Sequence, residues 1–203
     1  MITVVDYGMG NLRSVSKALE SLGAPVRVSS RPEDVASAEK VILPGVGAFP
    51  AAMQELRQRG LIEPVKAHIG AGKPYLGICL GLQLLFERSE EGGGAEGLGV
   101  LKGSVKRFTA PPPLKIPHMG WNQVTGLGAS ACPLLQGVPG GSYVYFVHSY
   151  YAQPSDVSLV ALESEYGERF AAMAWRERLF ATQFHPEKSQ AVGLRLLQNF
   201  VTL

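Results

Sequence analysis

At 203 residues the chain is long enough to bury one α/β core and too short for a second full-sized catalytic domain, so residues 1–203 are expected to form a single domain. A composition of 46% hydrophobic and 18% charged residues excludes a disordered chain, and a formal charge of +2 without a dense Lys/Arg tract excludes binding to nucleic acid through charge alone. No stretch approaches the roughly 20 apolar residues of a membrane helix, and the two cysteines, Cys79 and Cys132, sit in unlike settings that suit a reducing cytoplasm better than a disulfide framework.

Residues 2–6 read as a strand rather than a leader, because Asp6 and Gly8 interrupt the apolar run. Leu12, Val15, Leu19 and Leu22 then mark one helix face, stopped by Gly23. Residues 26–29 and 40–43 are the next strands, followed by a helix carrying Phe49, Ala52, Met53 and Leu56 and closed by Gly60. A short helix over 61–69, with His68 on its polar face, leads to a strand at 74–78; a further helix carrying Leu82, Leu85 and Phe86 begins directly after Cys79. Such alternation predicts an α/β fold with a mostly parallel central sheet covered by helices on both faces.

Beyond Gly92 the texture changes. The glycines at 92–94, 97 and 99 lack the Lys-Ser/Thr of a phosphate loop and read as a flexible connection. Strand-like runs follow at 100–108, 142–147, 158–162, 170–175 and 179–184, expected to add mostly antiparallel strands to the sheet before a closing helix over 189–201.

Two motifs carry chemistry. Gly77-Ile78-Cys79-Leu80-Gly81 sets a thiol at a sharp strand-to-helix turn, with glycines where a strained backbone cannot accept side chains. The start of the following helix favours a thiolate, and the Leu80 N–H is placed to meet an oxyanion. Taken alone, the motif also fits a buried structural cysteine between turn glycines; Cys132, beside Pro133, has only that structural reading. The second motif is His185-Pro186-Glu187. Proline holds His185 extended, and residues i and i+2 of an extended chain share a face, so Glu187 can orient the imidazole towards a thiol on a neighbouring strand. Separately, His185 also suits a hydrogen-bonded loop and Glu187 the first turn of a helix.

Together the motifs resemble the class I, or triad, glutamine amidotransferases, whose G-x-C-x-G-x-Q elbow and H-P-E ending both occur here in family order across essentially the whole chain. The resemblance implies Cys79, His185 and Glu187 as the catalytic triad and Gln83 as a substrate contact. Four further blocks, Asp6-Tyr7-Gly8-Met9-Gly10-Asn11, Pro44-Gly45-Val46-Gly47, Pro117-His118-Met119-Gly120-Trp121-Asn122 and Tyr145-Phe146-Val147-His148-Ser149-Tyr150, look most like the glutaminase subunits of imidazole glycerol phosphate synthase.

That likeness implies glutamine as substrate, no metal or other cofactor, and ammonia delivered to a (β/α)₈ cyclase partner. Val46 or Gly47 offers a second oxyanion donor beside Leu80, although the same residues also make a simple turn. His148, Ser149 and Tyr150 are expected to hold the α-carboxylate and α-amino group, with a core histidine as the other reading of His148. Met119, Trp121 and Asn122, with Asn11 and Arg13, are expected to face the partner, since aromatic anchors suit interfaces. An amidotransferase subunit serving another acceptor, a cysteine hydrolase of different specificity and a non-catalytic scaffold stay open at this point.

Overall fold

Period-two alternation sorts the central strands into two apolar layers. Val41, Leu43 and Tyr75 point to one side of the sheet, and Ile42, Leu76 and Ile78 to the other. The structure, a computed structural model, describes residues 1–109, 111–126 and 131–203. Its first half runs β1 (Ile2–Val5), α1 (Leu12–Ser21), β2 (Val26–Ser29), α2 (Pro32–Ala36), β3 (Lys40–Gly45), α3 (Phe49–Gln58), α4 (Ile62–Gly70), β4 (Tyr75–Cys79) and α5 (Leu80–Gln83). Then come β5 (Phe86–Ser89), β6 (Ala95–Glu96), β7 (Leu101–Arg107), β8 (His118–Gln123) and β9 (Thr125–Gly126). The last part is β10 (Tyr143–His148), β11 (Tyr150–Pro154), β12 (Val160–Tyr166), β13 (Glu168–Arg176), β14 (Leu179–Thr182) and α6 (Gln190–Thr202).

The main sheet has eight strands in the order β2-β1-β3-β4-β14-β13-β12-β9, parallel from β2 to β14 and antiparallel beyond. Val15 and Leu19 of α1 join Leu196, Leu197 and Phe200 of α6 in the layer on one face. Phe49, Ala52, Met53 and Leu56 of α3, with Val65 of α4, fill the other. Fully burying one such Leu or Phe is worth about 1.5–3 kcal/mol, so these periodic positions fix which face each helix presents.

The expected α/β class and its parallel core are therefore present, with α2, β8 and β11 as elements not expected and with further differences in detail. The helix after Cys79 is only four residues long, and Phe86 already belongs to β5. Leu82, Leu84, Leu85 and Phe86 are all buried, so the segment has no polar face to lay along a surface helix and passes into a second sheet. Of the late strand-like runs, those forming β12, β13 and β14 extend the main sheet as expected, joined by the short β9; β7 pairs with β5 and β11 in a four-stranded sheet, and β10 pairs with β8 in a two-stranded ribbon. His68 is not a surface residue: it is 2% exposed, and its Nε2 lies 3.0 Å from the Pro74 carbonyl, because with Val65 it occupies the inward face of α4.

Candidate active site

The register of three parallel strands brings the chemistry to one edge. Gly45 at the end of β3 lies opposite Cys79 at the end of β4, while Thr182 at the end of β14 lies opposite Ile78. The chain leaving each strand therefore emerges beside its neighbours, although β14 is about a hundred residues from β4 in sequence. That edge is where parallel α/β sheets form ligand sites.

Cys79 has φ 55 and ψ −107, a left-handed backbone that L side chains rarely adopt. The flanking glycines permit it. A Cβ on Gly81 would run into the Leu43 carbonyl oxygen, and one on Gly77 would sit 2.6 Å from the Gly81 oxygen. Gly81 thus answers to backbone packing against β3, and Gly77 to the elbow's own following turn. Gln183 donates from Nε2 to the sulfur at 3.7 Å, and the Val147 carbonyl lies 3.9 Å from it.

His185 is extended at φ −97 and ψ 98, and its Nδ1 stands 2.8 Å from Glu187 Oε1. Residues 186–188 form a 3₁₀ turn rather than a continued strand, yet the carboxylate still reaches the ring. Ser189 ties the segment down: its hydroxyl donates to the His185 carbonyl at 2.7 Å and accepts from the Tyr145 N–H at 3.0 Å. His185 Nε2 and Glu187 Oε2 are buried without a hydrogen-bond partner among the described residues. Burial pulls the His185 pKa down, but the neighbouring Cys79 and then the hydrogen-bonded Glu187 outweigh it and raise the value to about 10. His185 therefore keeps a proton on its imidazole at neutral pH, the state in which it can act as a general acid beside Cys79.

A cleft of about 340 Å³ opens over the sulfur, and Val46, Gly47, Leu80, Gln83, His148, Ser149 and Tyr150 all line it. Every residue singled out from the sequence for substrate or oxyanion contact is thus gathered around Cys79. Three more were not anticipated: Glu91, Pro117 and Val147. Glu91 also accepts from the Phe49 N–H at 2.8 Å, tying the glycine-rich connection to the start of α3. Gln183 was missed as well, because a lone buried glutamine in a strand-like run has no periodic signature; its side chain bridges Gln83 and Cys79. Gln83 itself donates 2.8 Å to the Tyr150 carbonyl and 3.1 Å to Gln183 Oε1, which holds the cleft wall against the elbow.

The residues expected to face a partner divide between two strand faces. Met119 and Trp121 project outward from β8 at 62% and 47% exposure, and Trp121 meets the Tyr145 ring edge-on at 6.1 Å. Asn122 turns the other way, with its amide donating to the Glu165 carbonyl at 2.8 Å. Arg13 is exposed and Asn11 half-buried at the start of α1. Among the described residues no cluster of His, Cys, Asp and Glu is arranged to hold a metal, and no helix is long and apolar enough to cross a membrane.

Residues 3–203 match the family model described as glutamine amidotransferase class-I. The chain is 55% identical over 202 residues to a protein of Rhodopirellula baltica named imidazole glycerol phosphate synthase subunit HisH, covering 100% of this chain and 97% of that one. It is 52% identical over 205 residues to the protein of the same name from Syntrophotalea carbinolica, covering 98% of each. Among solved structures, PurLQS from Thermotoga maritima superimposes with a TM-score of 0.76 at 19% identity, over 99% of this chain and 97% of that one, a likeness of fold alone.

Proposed function

The chain belongs to the class-I glutamine amidotransferase family, and we propose that it is the glutaminase subunit of an imidazole glycerol phosphate synthase, with residues 1–203 acting as one amidotransferase domain. The observation that carries the catalytic assignment is Cys79 on its strained elbow in the cleft wall, near the buried, hydrogen-bonded His185–Glu187 pair.

In the proposed cycle the Cys79 sulfur attacks the carboxamide carbon of glutamine. Negative charge collects on the former carbonyl oxygen, where the Leu80 N–H and an N–H from Val46 or Gly47 are the donors. As the tetrahedral species collapses, His185 gives its proton to the departing nitrogen, which leaves as ammonia, and a γ-glutamyl thioester remains on Cys79. His185, now neutral, takes a proton from water as the water oxygen adds to the thioester carbon. The C–S bond then breaks, glutamate leaves, and the proton returns to share the Cys79–His185 pair. Glu187 holds the Nδ1–H tautomer and stabilises the imidazolium. Gln83, His148, Ser149 and Tyr150 are the groups on the cleft wall that we assign to the amino-acid end of the substrate.

Ammonia protonates in water and ceases to be a nucleophile, so its use by an acceptor calls for a sealed passage. We assign the acceptor chemistry to a (β/α)₈ cyclase subunit, docked on the face bearing Met119 and Trp121; the names of the relatives and these exposed apolar side chains support that reading. The test is the Cys79→Ala variant in the assembled complex. Glutamine-dependent synthesis should vanish, binding to the cyclase should persist, and ammonium salt at high pH should restore synthesis. Retained glutamate release in Cys79→Ala would end the triad assignment.

A further inference from the structure

His148 of the cleft wall and His118, buried deeper, form a hydrogen-bonded chain. His148 Nδ1 lies 2.8 Å from the Tyr150 carbonyl, and its Nε2 lies 3.0 Å from His118 Nδ1. His118 Nε2 in turn lies 3.3 Å from the Asn122 amide nitrogen. The Asn122 orientation is fixed independently, because its nitrogen must donate to the Glu165 carbonyl while its oxygen accepts from the Gln123 N–H at 2.8 Å. All four ring nitrogens are partnered.

Only one proton arrangement satisfies the chain. A carbonyl accepts, so His148 Nδ1 carries hydrogen, and in the neutral ring Nε2 is the acceptor. His118 must then donate from Nδ1 and accept at Nε2 from Asn122. Burial favours that neutral pair, lowering the pKa of His118 to about 4 and of His148 to about 3. Donation therefore runs one way, from Asn122 through His118 and His148 to the Tyr150 carbonyl, which also accepts from Gln83. Through Gln183 the same network reaches the sulfur of Cys79. His118 is held in the ring plane it needs by stacking between Tyr166 at 4.2 Å and Phe146 at 4.7 Å.

We propose that His118 and Asn122 are positioning residues for glutamine binding: by donating to Nε2 they anchor the His148 ring, and through it hold the Tyr150 carbonyl and the Gln83 amide in the geometry that shapes the cleft. The proposal rests on the glutaminase reading above and extends it to a strand whose opposite face carries Met119 and Trp121. One strand thus bears both the exposed docking side chains and the inner anchor of the substrate wall, so a displacement of β8 is felt at Tyr150 through directed hydrogen bonds.

The test measures glutamate release against glutamine concentration in the complex with the cyclase subunit. His118→Phe preserves the aromatic stack and deletes the donor to His148. It should raise KM for glutamine about tenfold or more, with a smaller effect on kcat. His118→Asn, which returns an amide nitrogen near the former Nδ1, should stay within about threefold of the unmodified KM, and ring nitrogen NMR should show His148 Nε2 as a hydrogen-bonded acceptor in it but not in His118→Phe. A KM unchanged in His118→Phe, or lost equally in both variants, overturns the proposal. If His118→Phe does not fold, Asn122→Asp serves instead, since it sets an acceptor against an acceptor at His118 Nε2; an unchanged KM there overturns the proposal equally. The failure of the glutaminase reading would be seen separately, as turnover surviving in Cys79→Ala.

Discussion

Glu187 and His185 are only 2.8 Å apart, yet the scheme gives them different work, and mutation should separate them. Glu187→Gln keeps an acceptor for Nδ1 and loses charge, turning a charge-assisted hydrogen bond worth about 1.5–3 kcal/mol into a neutral one worth about 0.5–1.5. A loss of roughly ten- to a hundredfold in kcat is expected. His185→Ala removes proton transfer itself, a contribution of about 10²–10⁴. Equal losses, read from steady-state glutamate release, would show that the carboxylate does more than orient. Protons also set the stability of the histidine chain. His118 and His148 have pKa values pushed down by burial, and the positive His185 beside His148 acts in the same direction. Between about 6.5 and 3 the unfolded chain therefore binds protons that the folded chain refuses, and the fold should lose stability as the pH falls through that window. Denaturant titrations at pH 7 and pH 5 should show the decline, and a smaller one in His118→Phe; identical slopes in the two proteins would locate the acid sensitivity elsewhere.

At the scale of elements, the elbow is a packing device as much as a catalytic one. The Cβ of a Gly81→Ala variant would enter the Leu43 carbonyl on β3, so α5 and β3 would have to separate. Overpacking of this kind costs about 1–3 kcal/mol or more, equivalent to roughly 2–4 °C of melting temperature per kcal/mol in a chain of this size. Gly70→Ala, at a position with open space around it and no positive φ, should be nearly silent. If calorimetry gave equal melting temperatures for the two variants, the contact between elbow and strand would not be the reason for glycine. The same elements show what a sequence can disclose. G-x-C-x-G was legible because paired glycines around a cysteine mark a sharp strand-to-helix turn, and His185-Pro186-Glu187 because proline restricts its neighbour. The faces of α1, α3 and α6 were legible from spacing alone. His118, Gln183 and Glu91 were not, since their partners come from strands and helices distant in sequence that only tertiary packing brings near. The pairing of β8 with β10, and of β7 with β5 and β11, depends on loops whose length hides which edge each strand joins. His68 was misread because a partnered buried imidazole and a solvated one leave the same mark in a short helix.

For the whole molecule, the docking face and the reaction centre have to act together. Trp121→Ala removes an exposed anchor from β8 without touching the inward side of that strand. It should weaken assembly with the cyclase or let ammonia escape, lowering the product formed per glutamate released. The ratio and the affinity together decide the matter, and if both stayed at their unmodified values Trp121 would lie outside the interface. The order of strands also has a meaning in time. β4, bearing the thiol, is made in the first half of the chain, whereas its neighbour β14 and the histidine beyond it are made near the end. A ribosome releasing this protein from its first residue would expose Cys79 long before a base arrives to accept its proton. During that interval one side of β4 is an edge of unpaired N–H and C=O groups on a strand of buried side chains, awaiting its last partner. The nascent chain is therefore chemically idle and at its most adhesive in the same period, and both conditions end when β14 is inserted.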